Sequence, residues 1–158
     1  VGEINMRILL IEDDLEISQM LKDYLVVENF EVICAIDGET AQSEFNSGQY
    51  NIVLLDLMIP KISGMDIMKY IRRINTVPII IISAKDTDSD KTLGLGLGAD
   101  DYVTKPFSVT EVLARIKANI QRNTEYAMSL AEPGQLTAEA LIMDLLPTQL
   151  RKMELTLN

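Results

Sequence analysis

The 158-residue chain contains no histidine. That absence excludes general acid and base catalysis by imidazole, the side chain best suited to proton transfer near neutral pH, and any chemistry that passes through histidine must come from a second protein. Cysteine is nearly absent too. The single one, Cys34, sits within Glu31-Val32-Ile33-Cys34-Ala35, where it reads as a small apolar strand residue with no chemistry of its own. No apolar run approaches the ~18 residues of a membrane helix. The N-terminus also lacks the basic region and apolar stretch of a signal peptide, so the expected location is cytoplasmic, with no membrane partner. Positive charge is scarce: 14 Lys and Arg against 24 Asp and Glu leave a formal charge of -10. A chain with that balance carries no basic footprint for DNA or anionic lipid. With 47% hydrophobic and 24% charged residues, it is long enough for one domain with its own core and a modest appendage.

What the sequence does have is four strand-like runs, each ending in a short polar residue. Ile8-Leu9-Leu10-Ile11 leads into Glu12, Asp13 and Asp14; Ile52-Val53-Leu54-Leu55 ends at Asp56; Ile79-Ile80-Ile81-Ile82 ends at Ser83; Tyr102-Val103 leads through Thr104 to Lys105 and Pro106. Amphipathic helical patterns alternate with these runs. Ile17, Met20, Leu21, Tyr24 and Leu25 recur at helical spacing, and Glu31 to Ala35 is a further strand. Asp37-Gly38-Glu39-Thr40 can cap a helix that buries Ala41 and Phe45 and stops at Gly48. Met65, Met68 and Ile71 mark a third helix, and Asp86 to Leu97 a fourth, weakened by Gly94 and Gly96 and expected to be mobile. Ser108 with Glu111 forms a capping box for a last helix with Val109, Val112, Leu113, Ile116 and Ile120 on its buried face. Alternating strands and helices predict an α/β fold, a doubly wound five-stranded parallel sheet with helices on both faces.

In such a sheet, ligands bind beyond the carboxyl ends of the strands, where the strand order reverses. With the flavodoxin-like order 2-1-3-4-5, Asp13, Asp14 and Asp56 would face one another across that crevice. Three clustered carboxylates repel unless a cation joins them. Oxygen ligands without cysteine or histidine favour a hard ion, and carboxylates with waters and a phosphate oxygen describe Mg2+ better than a closed calcium cage. Lys105 adds a positive charge and Ser83 a hydroxyl. Together they can neutralise a transferring phosphoryl group.

These residues resemble a bacterial response-regulator receiver domain of the two-component systems. The resemblance rests on Ile11-Glu12-Asp13-Asp14, Leu55-Asp56-Leu57-Met58-Ile59-Pro60 with Gly64, Ile82-Ser83-Ala84, and Gly98-Ala99-Asp100-Asp101-Tyr102-Val103-Thr104-Lys105-Pro106-Phe107. It covers residues 6–123 and implies a CheY-like fold. It further implies that Asp56 accepts a phosphoryl group from a sensor histidine kinase. By the same resemblance Asp14, Asp56 and the backbone carbonyl of Met58 hold Mg2+ directly and Asp13 acts through water. Ser83 and Lys105 bind phosphoryl oxygens, Tyr102 switches rotamer, and the Lys105-Pro106 bond is cis. The expected role is that of a phosphoacceptor signalling domain rather than an enzyme. Met58 and Lys85 flank the path of hydrolytic water in the family. Because Met58 is apolar and cannot orient water, the phosphoryl group is expected to outlast that of fast-resetting members.

Duller readings stand beside these. Asp13 and Asp14 could be an N-cap and first-turn charges of the first helix. Ser83 could be a strand-end residue, Tyr102 plain packing and Lys105 a solvated lysine. Asp56 resists such an account, because an unpaired carboxylate after four apolar residues of a central strand costs several kcal/mol. Gly94, Gly96 and Gly98 close a helix and are no dinucleotide loop. A haloacid-dehalogenase-type phosphatase would need a second Asp where Met58 stands. A phosphorylation-independent receiver that only dimerises or binds a partner is the remaining alternative.

Lys91, Asp100, Asp101, Glu111, Arg115 and Arg122 lie on the fourth helix, fifth strand and fifth helix. Their pattern resembles the OmpR/PhoB subfamily, which implies a homodimer with Lys91 paired to Glu111 and Asp101 to Arg115 across a two-fold axis. Gly96 stands where that subfamily often has glutamate. Segment 124–158 is shorter than the roughly 40 residues that usually fold alone. Leu136-Thr137, Leu141-Ile142-Met143-Asp144 and Leu155-Thr156-Leu157 resemble the opening strands of a winged-helix effector. The expectation is a linker followed by a truncated start of that domain, or a linker with a helical tail over Ala138 to Leu146. DNA would be reached only through such an effector, and transcription controlled in the full-length form. Residues 1–5 read as additions ahead of Met6.

Overall fold

The computed structural model describes residues 5–130, with side chains through residue 125. Its strands are β1 (Met6–Ile11), β2 (Phe30–Ala35), β3 (Ile52–Leu55), β4 (Ile79–Ser83) and β5 (Asp101–Thr104). They alternate with α1 (Leu15–Val27), α2 (Gly38–Ser47), α3 (Gly64–Ile74), α4 (Asp88–Gly96) and α5 (Val109–Leu130). All strand pairs are parallel and the sheet order is β2-β1-β3-β4-β5, the expected CheY-like topology. Compact unit Val1–Ile120 holds the sheet, and a second unit, Gln121–Asn158, begins within the α5 residues.

The runs in β1, β3 and β4 are apolar at consecutive positions because helices cover both sides of the sheet. Strand alternation sorts them into two cores. Leu9, Ile11, Val53, Leu55, Ile79 and Ile81 pack with Ala41 and Phe45 of α2 and Ile67, Met68 and Ile71 of α3. Ile8, Leu10, Ile52, Leu54, Ile80 and Ile82 pack with Leu21 and Leu25 of α1 and Val112 and Ile116 of α5. Each fully buried aliphatic side chain contributes roughly 1.5–3 kcal/mol, which makes these two layers the main source of stability.

Every described helix start has a side-chain acceptor for its orphan N–H groups. Asp14, Asp37, Ser63 and Thr87 cap α1 to α4, and Ser108 Oγ accepts from Glu111 N at 3.0 Å. The expected capping box at Ser108 is half made, since the Glu111 carboxylate pairs with Arg115. A complete one occurs at Thr87 with Asp90. Gly94, a liability for an isolated helix, has a packing reason here: a Cβ would stand 2.8 Å from Ile81 Cδ1 and 3.2 Å from the Tyr102 ring. Helix α4 therefore lies against Tyr102 only because that position has no side chain.

Helix α5 runs past the expected boundary at residue 123, to Leu130. Val1 to Ile4, and the candidate winged-helix strands and helical tail beyond Leu130, lie outside the described residues. Among the described residues no helix is long and apolar enough to cross a membrane.

Candidate functional site

Strand register brings the acids together. Ile11 of β1 pairs with Leu55 of β3, so the residues that follow the two strands, Glu12 and Asp56, are neighbours at the carboxyl edge. The ladder continues one step past the strands, with Asp56 N donating to Ile11 O and Glu12 N to Ala35 O, both at 2.9 Å. Glu12 and Asp56 are 2% and 5% exposed. Lys105, entering from the end of β5, bridges them: its Nζ lies 2.9 Å from Glu12 Oε1 and 3.0 Å from Asp56 Oδ2.

Two buried carboxylates share one ammonium. Burial above all, with the Asp56 charge adding, pushes the Glu12 carboxyl up to about 7 against the pull of Lys105. Burial opposes the charge on Lys105, but the two carboxylates outweigh it and raise its pKa. Glu12, Asp13 and Asp56 each bring a carboxylate oxygen within 4.8 Å of the others. The donor set, all oxygen with negative charge in excess, suits a hard divalent cation.

This corrects the expected cluster, which contained Asp14 in place of Glu12. Asp14 is the α1 N-cap, its Oδ1 accepting from Glu16 N at 3.0 Å and Ile17 N at 3.1 Å. Capping α1, the plain structural role, is what the structure shows for Asp14. Glu12 was missed although its signal was present: like Asp56, it is the first polar residue after four apolar ones, and in-register parallel strands place such residues side by side. Asp13, which follows Glu12, is exposed and stays in the cluster.

The other candidates fall around Asp56. Met58 N donates to Asp56 Oδ1 at 3.1 Å, while its side chain is 59% exposed. Ser83 ends β4, fully buried; its Oγ accepts from Lys85 N, and its carbonyl accepts from Lys105 N at 2.9 Å. Tyr102 is buried, and its hydroxyl donates to Lys85 O at 2.7 Å. The Lys105-Pro106 bond is cis.

A family model for the response regulator receiver domain matches residues 8–117. The chain belongs to this receiver family. The receiver is 52% identical over 126 residues to an uncharacterized transcriptional regulatory protein, YcbL, of Bacillus subtilis strain 168. The match takes in 80% of this chain and 55% of that regulator, so the chain spans about half the length of that relative. Among solved structures, the Francisella response regulator 1452 receiver domain superposes with a TM-score of 0.73 at 34% identity, covering 75% of this chain and 99% of that one. The BeF3-activated receiver domain of Klebsiella pneumoniae RstA gives 0.70 at 29% identity, covering 73% and 98%.

On the receiver's surface, Arg115 Nη1 lies 2.7 Å from Asp101 Oδ1 and its Nε 3.3 Å from Glu111 Oε2, so the residues expected to pair between copies already pair within one. Among the described residues Lys91 makes no ion pair within 4 Å. Arg122 lies further along the α5 sequence. Asp100 is differently placed. Its Oδ2 accepts from Arg72 Nη2 at 2.8 Å and Ile79 N at 2.9 Å, which ties it to α3 and the start of β4. A second feature is a mostly apolar groove of about 350 Å³ beside Lys105, lined by Ile17, Met20, Pro106 and Phe107.

Proposed function

We propose that Asp56 accepts a phosphoryl group from the phosphohistidine of a sensor histidine kinase in a Mg2+-dependent reaction. The observation that carries this reading is Lys105 held between buried Glu12 and Asp56 at the rim of the sheet. A carboxylate oxygen of Asp56 attacks phosphorus as the phosphorus–nitrogen bond to the donor imidazole breaks, and the bonding pair leaves with that imidazole. Lys105 neutralises charge on the moving phosphoryl oxygens, and the Ser83 hydroxyl and Met58 N–H supply donors. Glu12, Asp13 and Asp56, with the Met58 carbonyl, would hold the ion, which supplies charge neutralisation at the same oxygens. The mostly apolar groove that Lys105 borders suits docking of an amphipathic helix of the kinase.

The reading extends to a cytoplasmic transcriptional regulator of the OmpR/PhoB type, dimerising through α4, β5 and α5, with DNA bound by an effector outside the described residues. The 52% identity to a transcriptional regulatory protein supports the transcriptional part. Asp101, Glu111 and Arg115 would exchange their internal pairs for pairs across the two-fold axis, and Lys91 would gain one. Turnover is slow, so the protein is a phosphoacceptor and no enzyme. The exposed, apolar Met58 supports a lifetime longer than seconds for the aspartyl phosphate.

Mass spectrometry after incubation with Mg2+ and acetyl phosphate tests the reading. One phosphoryl group is expected on the wild type and none on Asp56→Asn. An unmodified wild type would leave a receiver that works only by binding partners.

A further inference from the structure

The loop between β3 and α3 carries Asp56 and Met58, and it is fastened on its far side to the turn between β2 and α2. These two segments follow strands separated by β1, so the fastening passes beside the end of β1, where Glu12 stands. It has two parts. Gly38 N donates to Pro60 O at 3.1 Å, an approach so close that a Cβ on Gly38 would meet Ile62 Cβ and carbonyl oxygen at 2.4 Å. Next to Pro60, the Lys61 Nζ stands 3.6 Å from Asp37 Oδ2 and 3.7 Å from Glu39 Oε1.

Lys61 adopts φ +74°, a left-handed conformation that an L-residue with a long side chain rarely takes. Such strain costs about 1 kcal/mol and persists only where surrounding structure holds it. The strained backbone coincides with an ammonium directed at two carboxylates of the neighbouring turn. Asp37 is itself pinned, because its Oδ1 caps α2 by accepting from Thr40 N at 2.7 Å. The anchor for the lysine is therefore one end of a helix, not a free side chain.

We propose that Lys61 is a positioning residue for the cation site: its tie to Asp37 and Glu39 holds the β3–α3 loop in the geometry that presents Asp56 and the Met58 backbone to the ion. This inference rests on the phosphoacceptor reading above and deepens it. Lys61 touches neither the phosphoryl group nor the acids of the cluster. It acts by restricting where the loop between them and α3 can go. Lys61 and Glu39 are 55% and 69% exposed at their side chains while Asp37 is nearly buried, so the effect of the pairs is graded and salt-sensitive.

The test uses Lys61→Met, which keeps length and loses the ammonium, and Lys61→Arg, which keeps the charge. Mg2+ binding to each unphosphorylated chain is measured by titration calorimetry, and the Mg2+ dependence of phosphorylation by acetyl phosphate is followed in parallel. Lys61→Met should raise the Mg2+ dissociation constant by about tenfold, the low end for groups that orient metal ligands. Its phosphorylation rate at saturating Mg2+ should stay within about twofold of wild type, because no group at the reacting atoms changes. Lys61→Arg should restore most of the affinity. A purely structural lysine would shift the melting temperature and leave the Mg2+ titration unchanged, and that result would overturn the inference. Lys61→Gly, which relieves the backbone strain and frees the loop, gives a second check: it should bind Mg2+ no better than Lys61→Met, and wild-type affinity there also overturns the proposal. If the wild type itself takes up no phosphate, the phosphoacceptor reading falls. If it does and Lys61→Met binds Mg2+ like wild type, only the role of Lys61 falls.

Discussion

Two charged clusters, Glu12–Asp56–Lys105 and Arg72–Asp100, sit at different places in the sheet and are balanced in opposite ways. Arg72 on α3 donates to Val77 O at 2.6 Å, Gly98 O at 2.9 Å and Asp100 Oδ2 at 2.8 Å, and Asp100 also takes the N–H of Ile79. With Asn75 O also accepting from Arg72 Nη1 at 3.5 Å, one cation meets one anion and three carbonyls, so the group is neutral and closed. At the rim above Asp56, two buried carboxylates lie beside a single Lys105 with Asp13 nearby, and among the described residues the surplus negative charge meets no second cation. A satisfied cluster of this kind joins elements: here α3, the α4–β5 turn and the start of β4. An unsatisfied one is a site that asks for a ligand.

Mutations separate the two roles. The largest effect should come from Asp56→Asn, which removes the attacking oxygen: phosphoryl uptake falls to nothing by mass spectrometry, yet the Mg2+-free protein gains about 1 kcal/mol in urea unfolding because a buried like-charge repulsion disappears. Should that variant be less stable than wild type, the rim would not be the frustrated cluster described. Arg72→Met should do the reverse. Leaving Asp100, Val77 O and Gly98 O without their donor costs about 3 kcal/mol, read from the urea midpoint, while the folded fraction still takes phosphate at the wild-type rate.

A pH titration sharpens the contrast. The Glu12 carboxyl titrates near 7 when folded against 4.5 when free, so the native state holds a proton that the unfolded chain has released. Stability from the protonated form is full below about 4.5 and is lost as pH rises toward 7 and above. Without Mg2+, chemical unfolding should show a loss on the order of 2 kcal/mol between pH 5 and pH 8, and saturating Mg2+ should flatten the curve. In Glu12→Gln the same window should be nearly level. The smallest effect distinguishes adjacent acids. Asp14→Ala should cost about 1 kcal/mol, as lost N-caps do, and leave the Mg2+ dissociation constant within about twofold. Asp13→Ala should weaken Mg2+ while sparing helix α1. A swap of those two outcomes would restore the ligand set expected from sequence.

Much of the site was legible from four runs and their end residues. Asp56, Ser83 and Lys105 occupy strand ends or the loop just after one, and a buried strand followed by a charged residue has few innocent explanations. Glu12 was passed over for Asp14 because counting carboxylates along Glu12-Asp13-Asp14 does not reveal which of them the pleat turns toward β3. That choice belongs to register: Ile11 opposite Leu55 makes Glu12 the neighbour of Asp56 and leaves Asp14 to begin a helix. The partner of Asp100 was hidden for a similar reason: its carboxylate meets Arg72, 28 residues away, and no local pattern announces such a pair.

Sequence by itself determined the fold class, the alternation of strands and helices, the caps at Asp37 and Ser108 and the chemistry gathered at one edge of the sheet. Periodicity and capping are local properties, carried by residues within a turn or two of each other. Only tertiary structure decided which acid joins Asp56, that Arg115 pairs within its own chain, and that Lys61 adopts a strained backbone to reach the β2–α2 turn. Those outcomes depend on strand register and on distances between segments far apart in the chain, which the order of residues does not spell out.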